Sequence, residues 1–261
     1  MPLALKTCST ISEAGTALKE AGTRYLGGGT LVVRAANEGD VSISMLVRST
    51  DPVLSSISID DGRATLGASV TMSAVARHPG LFSIAKAARS VGGPAIRNMA
   101  TVGGNLFAAS PYGDFAVALL ALNATVHTTE GHLGIEQFLA NRDGKVVSAI
   151  SFDIPSADRF RFVKVSRVKP KGVSVLSIAA LIEAGAGKVK EARIALGCMA
   201  DRPIRASAAE KALAGAALTE EGVAPAVAAI GEGTRPMTDA IASAWYRGEV
   251  LPVHFRRLLL E

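Results

Sequence analysis

Two cysteines, four histidines, one tryptophan and three tyrosines in 261 residues set the first limits on what this chain does. Cys8 and Cys198 stand far apart and form no CxxC pair. A cluster held by protein thiolates needs about four ligands, so the chain by itself holds no iron–sulfur centre. His78, His127, His132 and His254 fall into no HExxH-type spacing, and His127 and His132 read as residues flanking a turn, so no metal site is expected. Aromatic residues amount to 5% and the basic residues are dispersed. The net charge of +5 therefore reads as a solvated surface, with no nucleic-acid partner. No apolar run approaches the roughly 20 residues of a membrane helix, and the opening "MPLALKTCST" lacks a basic segment leading into a long apolar one. Neither a membrane span nor a secretory leader is expected, and the expected location is cytoplasmic.

What is present is the composition of a folded chain, 49% hydrophobic and 20% charged. Its length allows two or three lobes, since domains commonly run about 100–150 residues. The pattern is α+β. Ser12 is a candidate cap for a first helix ending at Gly22, and "RYL" is a short strand running into "GGGT" at 27–30. "VSISMLV" at 41–47 alternates as a strand, and "LSSISIDDGRATLG" reads as a hairpin about Asp61-Gly62. A helix from Pro79 ends near Gly92-Gly93-Pro94, another runs from Asp114 to Asn123, and a strand follows. A boundary is expected near Pro155 to Asp158. Beyond it, "RFRFVKVSRV" reads as a strand, and "SVLSIAALIEA" and "EARIALGCMA" as antiparallel strands. Helices follow around 205–214, after a cap at Thr219, and from about Ser243.

Two glycine clusters, "GGGT" at 27–30 and "TVGGN" at 101–105, call for an explanation. Glycine permits positive φ and lets successive backbone N–H groups converge on an anion; either cluster alone is equally a tight turn. The run "GGGTLV" cannot be read as GxGxxG, because Val32 holds the third glycine's place, and no GxxxxGK[ST] occurs. Any phosphate is thus held by neither a P-loop nor a Rossmann turn. In "RFRFVKV", alternation puts Phe160, Phe162 and Lys164 on one strand face. That lysine is either partly withdrawn from solvent or snorkels from a sheet edge.

In order, "YLGGGTL", "LGASVTMSAVARHP" and "ARSVGGPAIRNMATVGGNLFAASPYGDFAVALLAL" closely resemble the FAD-binding medium subunit of the molybdenum hydroxylases, the family of xanthine and carbon monoxide dehydrogenases. "FVKVSR", "ARIALGCMADRPIRA" and "AWYRGEVLPVHFRRLL" resemble that family's C-terminal flavoprotein domain. The resemblance implies a two-lobe FAD-binding fold of the PCMH type over residues 1–157, with lobes of about 1–50 and 51–157. A small antiparallel sheet with helices, like the carbon monoxide dehydrogenase flavoprotein C-terminal domain, would cover 158–261. It also implies one FAD whose diphosphate is wrapped by Gly27, Gly28, Gly29 and Thr30 together with Thr101, Gly103, Gly104 and Asn105. Asp114 would accept hydrogen bonds from the adenosine portion, although Asp at a helix start is also a cap, and Lys164 would approach the flavin.

No histidine lies in or beside the glycine segments, so FAD is expected to be noncovalent. The run "GGGTLVVRAANEGD" departs from the family pattern, in which Asp, Asn or Gln commonly follows the glycines; here Arg34 is the nearest charge. The function implied is electron exit: a large subunit with the molybdenum cofactor and a small subunit with 2Fe-2S clusters would deliver electrons to this FAD, and an external acceptor would remove them. The alternatives are a stand-alone flavin oxidoreductase and an assembly subunit without FAD.

Overall fold

The computed structural model describes residues 3–169 and 172–261. The first lobe is built from β1 (Ala4–Cys8), α1 (Ile11–Ala17), β2 (Thr23–Tyr25), α2 (Val32–Asn37) and β3 (Met45–Ser49). Its three strands form a parallel sheet in the order β1-β3-β2 around a small core of Cys8, Ala14, Ala17 and Val47. The cap of α1 is Thr10 rather than Ser12: Thr10 Oγ1 accepts the Glu13 N–H while the Glu13 carboxylate accepts from the Thr10 N–H. This reciprocal box satisfies two end groups, which Ser12, the second residue of the helix, cannot do. The third strand begins at Met45 rather than Val41, whose side chain is 97% exposed.

The second lobe contains β4 (Ile57–Asp60), β5 (Arg63–Gly67), α3 (Met72–Arg77), α4 (Ala85–Ser90), α5 (Pro94–Met99), α6 (Val102–Leu106) and α7 (Asp114–Ala121). It continues through β6 (Thr125–Thr128), β7 (Gly131–Gly134), α8 (Ile135–Ala140) and β8 (Val147–Asp153). The strands make an antiparallel sheet in the order β4-β5-β8-β6-β7. The hairpin turns where the sequence places it, with Asp61 at φ 46° and Gly62 at φ 77°, the two left-handed residues that match strand twist. His127 and His132 face each other across the β6–β7 turn, their ring centroids 4.5 Å apart.

Every residue of α7 is buried, which is why "DFAVALLA" has no polar face. This helix packs between the second lobe and a four-stranded antiparallel sheet, β12-β11-β10-β9. The strands of that sheet are β9 (Phe160–Ser166), β10 (Ser174–Gly185), β11 (Lys188–Gly197) and β12 (Ile204–Arg205). Phe160, Phe162, Ala179 and Ala195 on one face join the core of the second lobe. Leu176, Ile178, Ala180 and Ile194 on the other join a separate core covered by α9 (Ser207–Leu213), α10 (Glu220–Ala229) and α11 (Ala244–Leu260). A sheet buried on both faces reads as a nearly continuous apolar run, as "VLSIAALI" does. The fold is α+β, and none of the described helices is long and apolar enough to cross a membrane.

Candidate functional site

The first glycine segment leaves β2 immediately after the Leu26 N–H completes the sheet by donating to the Val47 carbonyl at 2.7 Å. Among the described residues, the N–H groups of Gly27, Gly28, Gly29, Thr30 and Leu31 donate no hydrogen bond, although all five residues are half-buried. Backbone donors withdrawn from bulk water are ordinarily paired. Five in succession, with Gly29 at φ +73°, are donors of the kind that an anion-binding nest uses. Glycine is required at 28 for space as well, since a Cβ there would overlap the Met99 carbonyl.

The second segment is the start of a helix. Thr101 caps α6, its Oγ1 accepting the Gly104 N–H at 3.1 Å. The Val102 and Gly103 N–H groups are spent on Val70 O and Ala68 O, at 2.8 and 2.9 Å, which anchors the helix to the segment after β5. Gly103 is glycine because a Cβ would lie 2.8 Å from the Ala68 methyl. The two segments touch: a Cβ on Gly27 would stand 2.9 Å from Thr101 Oγ1 and 3.8 Å from Gly104 Cα. Free donors therefore come from the first segment, while the second supplies a tightly packed wall. Asn105 is turned inward, its Oδ1 accepting the Ala116 N–H at 2.9 Å, and Arg142 Nη1 holds the far end of α6 by donating to Leu106 O and Ala108 O.

Asp114 opens α7 and meets Lys164 of β9. The ammonium lies 2.8 Å from Asp114 Oδ2 and 2.8 Å from Ser90 O, at the carbonyl end of α4. Their side chains are 8% and 10% exposed, so the lysine is not a snorkelling edge residue. Ser174 Oγ donates to Asp114 Oδ1 at 2.6 Å, and both carboxylate oxygens are thereby engaged within the chain. A cavity of about 230 Å³ lies between β9 and α11, lined by Val163, Val165, Lys169, His254, Arg257 and Glu261. Burial, reinforced by the charges of Arg257 and Lys169, holds the His254 imidazole below its ordinary pKa.

Behind Asp114, Cys198 sits at φ +65° with Sγ directed at Pro111 O and Ser174 O. Burial first, then the nearby Asp114 charge, pushes its thiol up to about 12. Arg34 lies outside the nest: it stands on α2, paired with Glu38 at 2.7 Å and donating to Tyr112 Oη at 3.2 Å.

Ser174, Ser90 and Arg142 were not legible as members of this constellation. Ser90 contributes through a carbonyl, which any residue has. Ser174 carried a faint signal as a hydroxyl opening an apolar strand. The donors present fit a bound diphosphate: five successive N–H groups that make no hydrogen bond among the described residues, packed against the capped start of α6.

Residues 3–152 match the family of FAD-binding domains in molybdopterin dehydrogenase, and residues 161–261 match the carbon monoxide dehydrogenase flavoprotein C-terminal domain. The chain belongs to this family of FAD-binding flavoproteins. Among curated relatives, the glyceraldehyde dehydrogenase medium chain of Sulfolobus acidocaldarius is 29% identical over 178 residues, 64% of this chain and 63% of its own length. The nicotinate dehydrogenase FAD-subunit of Eubacterium barkeri is 28% identical over 224 residues, 78% of this chain and 76% of its own. The carbon monoxide dehydrogenase medium chain of Afipia carboxidovorans is 29% identical over 175 residues, and the match spans 60% of its length. The fold superposes on a chain of a Cu,Mo-containing carbon monoxide dehydrogenase with a TM-score of 0.89 at 24% identity, covering 99% of this chain and 97% of that one. For quinoline 2-oxidoreductase from Pseudomonas putida 86 the TM-score is 0.88 at 23% identity, covering 100% and 96%.

Proposed function

We propose that this chain is the FAD-carrying electron-transfer subunit of a heteromeric molybdenum-dependent dehydrogenase or hydroxylase, in the cytoplasm. A small subunit would hold 2Fe-2S clusters and a large one the molybdenum cofactor. The observation that carries the reading is the nest: five consecutive unpaired N–H groups lie against the capped start of α6. Gly27, Gly28, Gly29 and Thr30 hold the FAD diphosphate there. Thr101, Gly103, Gly104 and Asn105 shape the opposite wall; Asp114, which the resemblance assigned to the adenosine portion, is paired with Lys164 at 2.8 Å, and the two together serve the flavin end. Residues 1–157 form the FAD-binding unit, and 158–261 the C-terminal unit that contributes Lys164.

When bound, FAD accepts electrons singly and releases a pair, which suits a place between iron–sulfur clusters and a two-electron acceptor. The protein's part is positional and electrostatic. Backbone dipoles neutralise the diphosphate, and a lysine ammonium kept out of bulk water offsets negative charge gained on reduction. The chain oxidises no substrate of its own in this reading.

The test is co-expression with a small cysteine-rich subunit and a large subunit encoded beside it. We expect a yellow complex in which an organic substrate of this enzyme class reduces the flavin, and acid precipitation releases FAD into solution. Omitting the iron–sulfur subunit abolishes that reduction and leaves FAD bound. An isolated chain that oxidised substrate at the complex's rate would overturn the reading.

A further inference from the structure

The strand β10 is apolar on both faces but begins with a serine that is 1% exposed. Burying a hydroxyl costs free energy unless it finds a partner. Ser177, three residues on, finds none, whereas Ser174 Oγ reaches Asp114 Oδ1 at 2.6 Å. The contact depends on an irregularity in the sheet. Leu176 pairs with Val165 and Ser177 with Lys164, yet Ser174 pairs with Ser166, so Val175 is an extra residue. Side chains alternate between faces along a strand, and in regular pairing Ser174 would share the face of Leu176 and Ile178, in the core under α11. The bulge at Val175 turns Ser174 to the face of Lys164, where Asp114 lies.

This bulge is held from behind. The Val175 carbonyl accepts from Nε of Arg247 at 2.8 Å, an arginine that is 1% exposed and is itself paired with Asp239 at 2.8 Å. The Ser174 carbonyl faces the Cys198 thiol. Bulges beside functional sites commonly re-aim one side chain. Here the side chain is Ser174, and what it fixes is the carboxylate that holds an otherwise buried ammonium.

We propose that Ser174 is a positioning residue for the flavin site: its hydroxyl locks Asp114, and Asp114 in turn holds Lys164 in the place and charge balance that a bound flavin experiences. The inference rests on the FAD reading above for its redox consequence, but the Ser174–Asp114–Lys164 chain exists without the cofactor. Losing the hydroxyl removes one of the two bonds that fix the Asp114 carboxylate, so the partner of the ammonium is no longer held in place. An ammonium held less firmly offsets less of the negative charge gained on reduction, so a flavin beside Lys164 becomes harder to reduce.

Ser174→Ala separates the two layers. In the protein without FAD, reductive methylation of Lys164, followed by mass spectrometry, should be slow in the wild type and several-fold faster in the variant, because the ammonium spends more time free of its partner. In the protein loaded with FAD, a dye titration should show a lower flavin midpoint potential for Ser174→Ala, with return toward the wild-type value in Ser174→Thr, which restores the hydroxyl. Ser177→Ala should match the wild type in both measurements. Ser174→Cys, close to serine in size but a weak donor, carries the same expectations if the alanine variant does not fold. Unchanged Lys164 labelling in the hydroxyl-deleted protein would overturn the positioning role. A wild type that took up no FAD would overturn the flavin reading while leaving the labelling result intact.

Discussion

The carboxamide oxygen of Asn105 accepts the Ala116 N–H at 2.9 Å inside the protein. The end of the glycine-rich α6 is thereby tied to the first turn of α7, the helix that carries Asp114. At a helix N-terminus the N–H groups lack intrahelical partners, and this side chain supplies one where water does not reach. Asn105→Leu should leave that donor unpaired and cost about 1–3 kcal/mol, read as a lower urea midpoint with an unchanged slope. A midpoint equal to that of the wild type would show that water or another acceptor takes its place.

Gly28 and Gly104 differ in what surrounds them. A methyl at 28 would overlap the Met99 carbonyl, whereas among the described residues the one close neighbour at 104 is Thr101 Oγ1. Gly28→Ala must therefore displace the first segment, and FAD affinity should fall by at least about tenfold, the equivalent of one hydrogen bond to a charged group. Gly104→Val crowds Thr101 Oγ1, the cap of α6, which would stand 2.9 Å from the new Cβ, and should also weaken FAD binding, with the circular dichroism spectrum unchanged. Isothermal titration with FAD decides, and wild-type affinity in both variants would reduce the glycines to turn formers.

Lys164 and Asp114 form a pair whose members are 10% and 8% exposed. Removing one partner of such a pair strands the other charge, at a typical cost of about 3–5 kcal/mol. Lys164→Met should therefore unfold at markedly lower denaturant, and the double variant Lys164→Met, Asp114→Leu should recover part of the loss. Additive losses in the double variant would mean that the two side chains are not coupled.

Cys198 supplies a pH dependence. Its folded-state pKa is raised to about 12 from an ordinary 9.0, so the unfolded chain gives up the thiol proton first as pH rises. Its stabilising contribution is whole below pH 9 and is lost as pH climbs toward 12, by at most about 1.4 kcal/mol per pH unit. Between pH 9 and 11 the stability of the wild type should fall more steeply than that of Cys198→Ala. At pH 8 the folded thiol should not react with a disulfide reagent that labels it in urea. Equal slopes in the two proteins would place the alkaline loss elsewhere.

Much of the local structure was readable along the chain. The Asp61-Gly62 hairpin, the Thr219 cap, the helix start near Ser243 and the β10–β11 pair are written in residues that are neighbours in sequence, because turn chemistry and period-2 burial are local effects. The short helices were harder. Neither α2 nor α6 could be read from its own residues, since five- and six-residue helices survive by packing rather than propensity. The switch from Ser12 to Thr10 at the first cap turned on which hydroxyl precedes the helix.

From sequence alone came the two glycine clusters, the expectation that two cysteines hold no iron–sulfur cluster, the face that Lys164 shares with Phe160 and Phe162, and a family resemblance strong enough to imply FAD. All of these are properties of residue type and spacing. What lay beyond the chain's own order was which groups are free and which are spent. Only the folded arrangement leaves the Gly27–Leu31 donors unpaired, spends the Val102 and Gly103 donors on Val70 and Ala68, and pairs Lys164 with an aspartate from a distant helix. The same is true of Ser174, whose direction is set by one extra residue in a strand. Hydrogen-bond partners and bulges arise from the pairing of separate segments, and a single strand's pattern does not contain its neighbour's register.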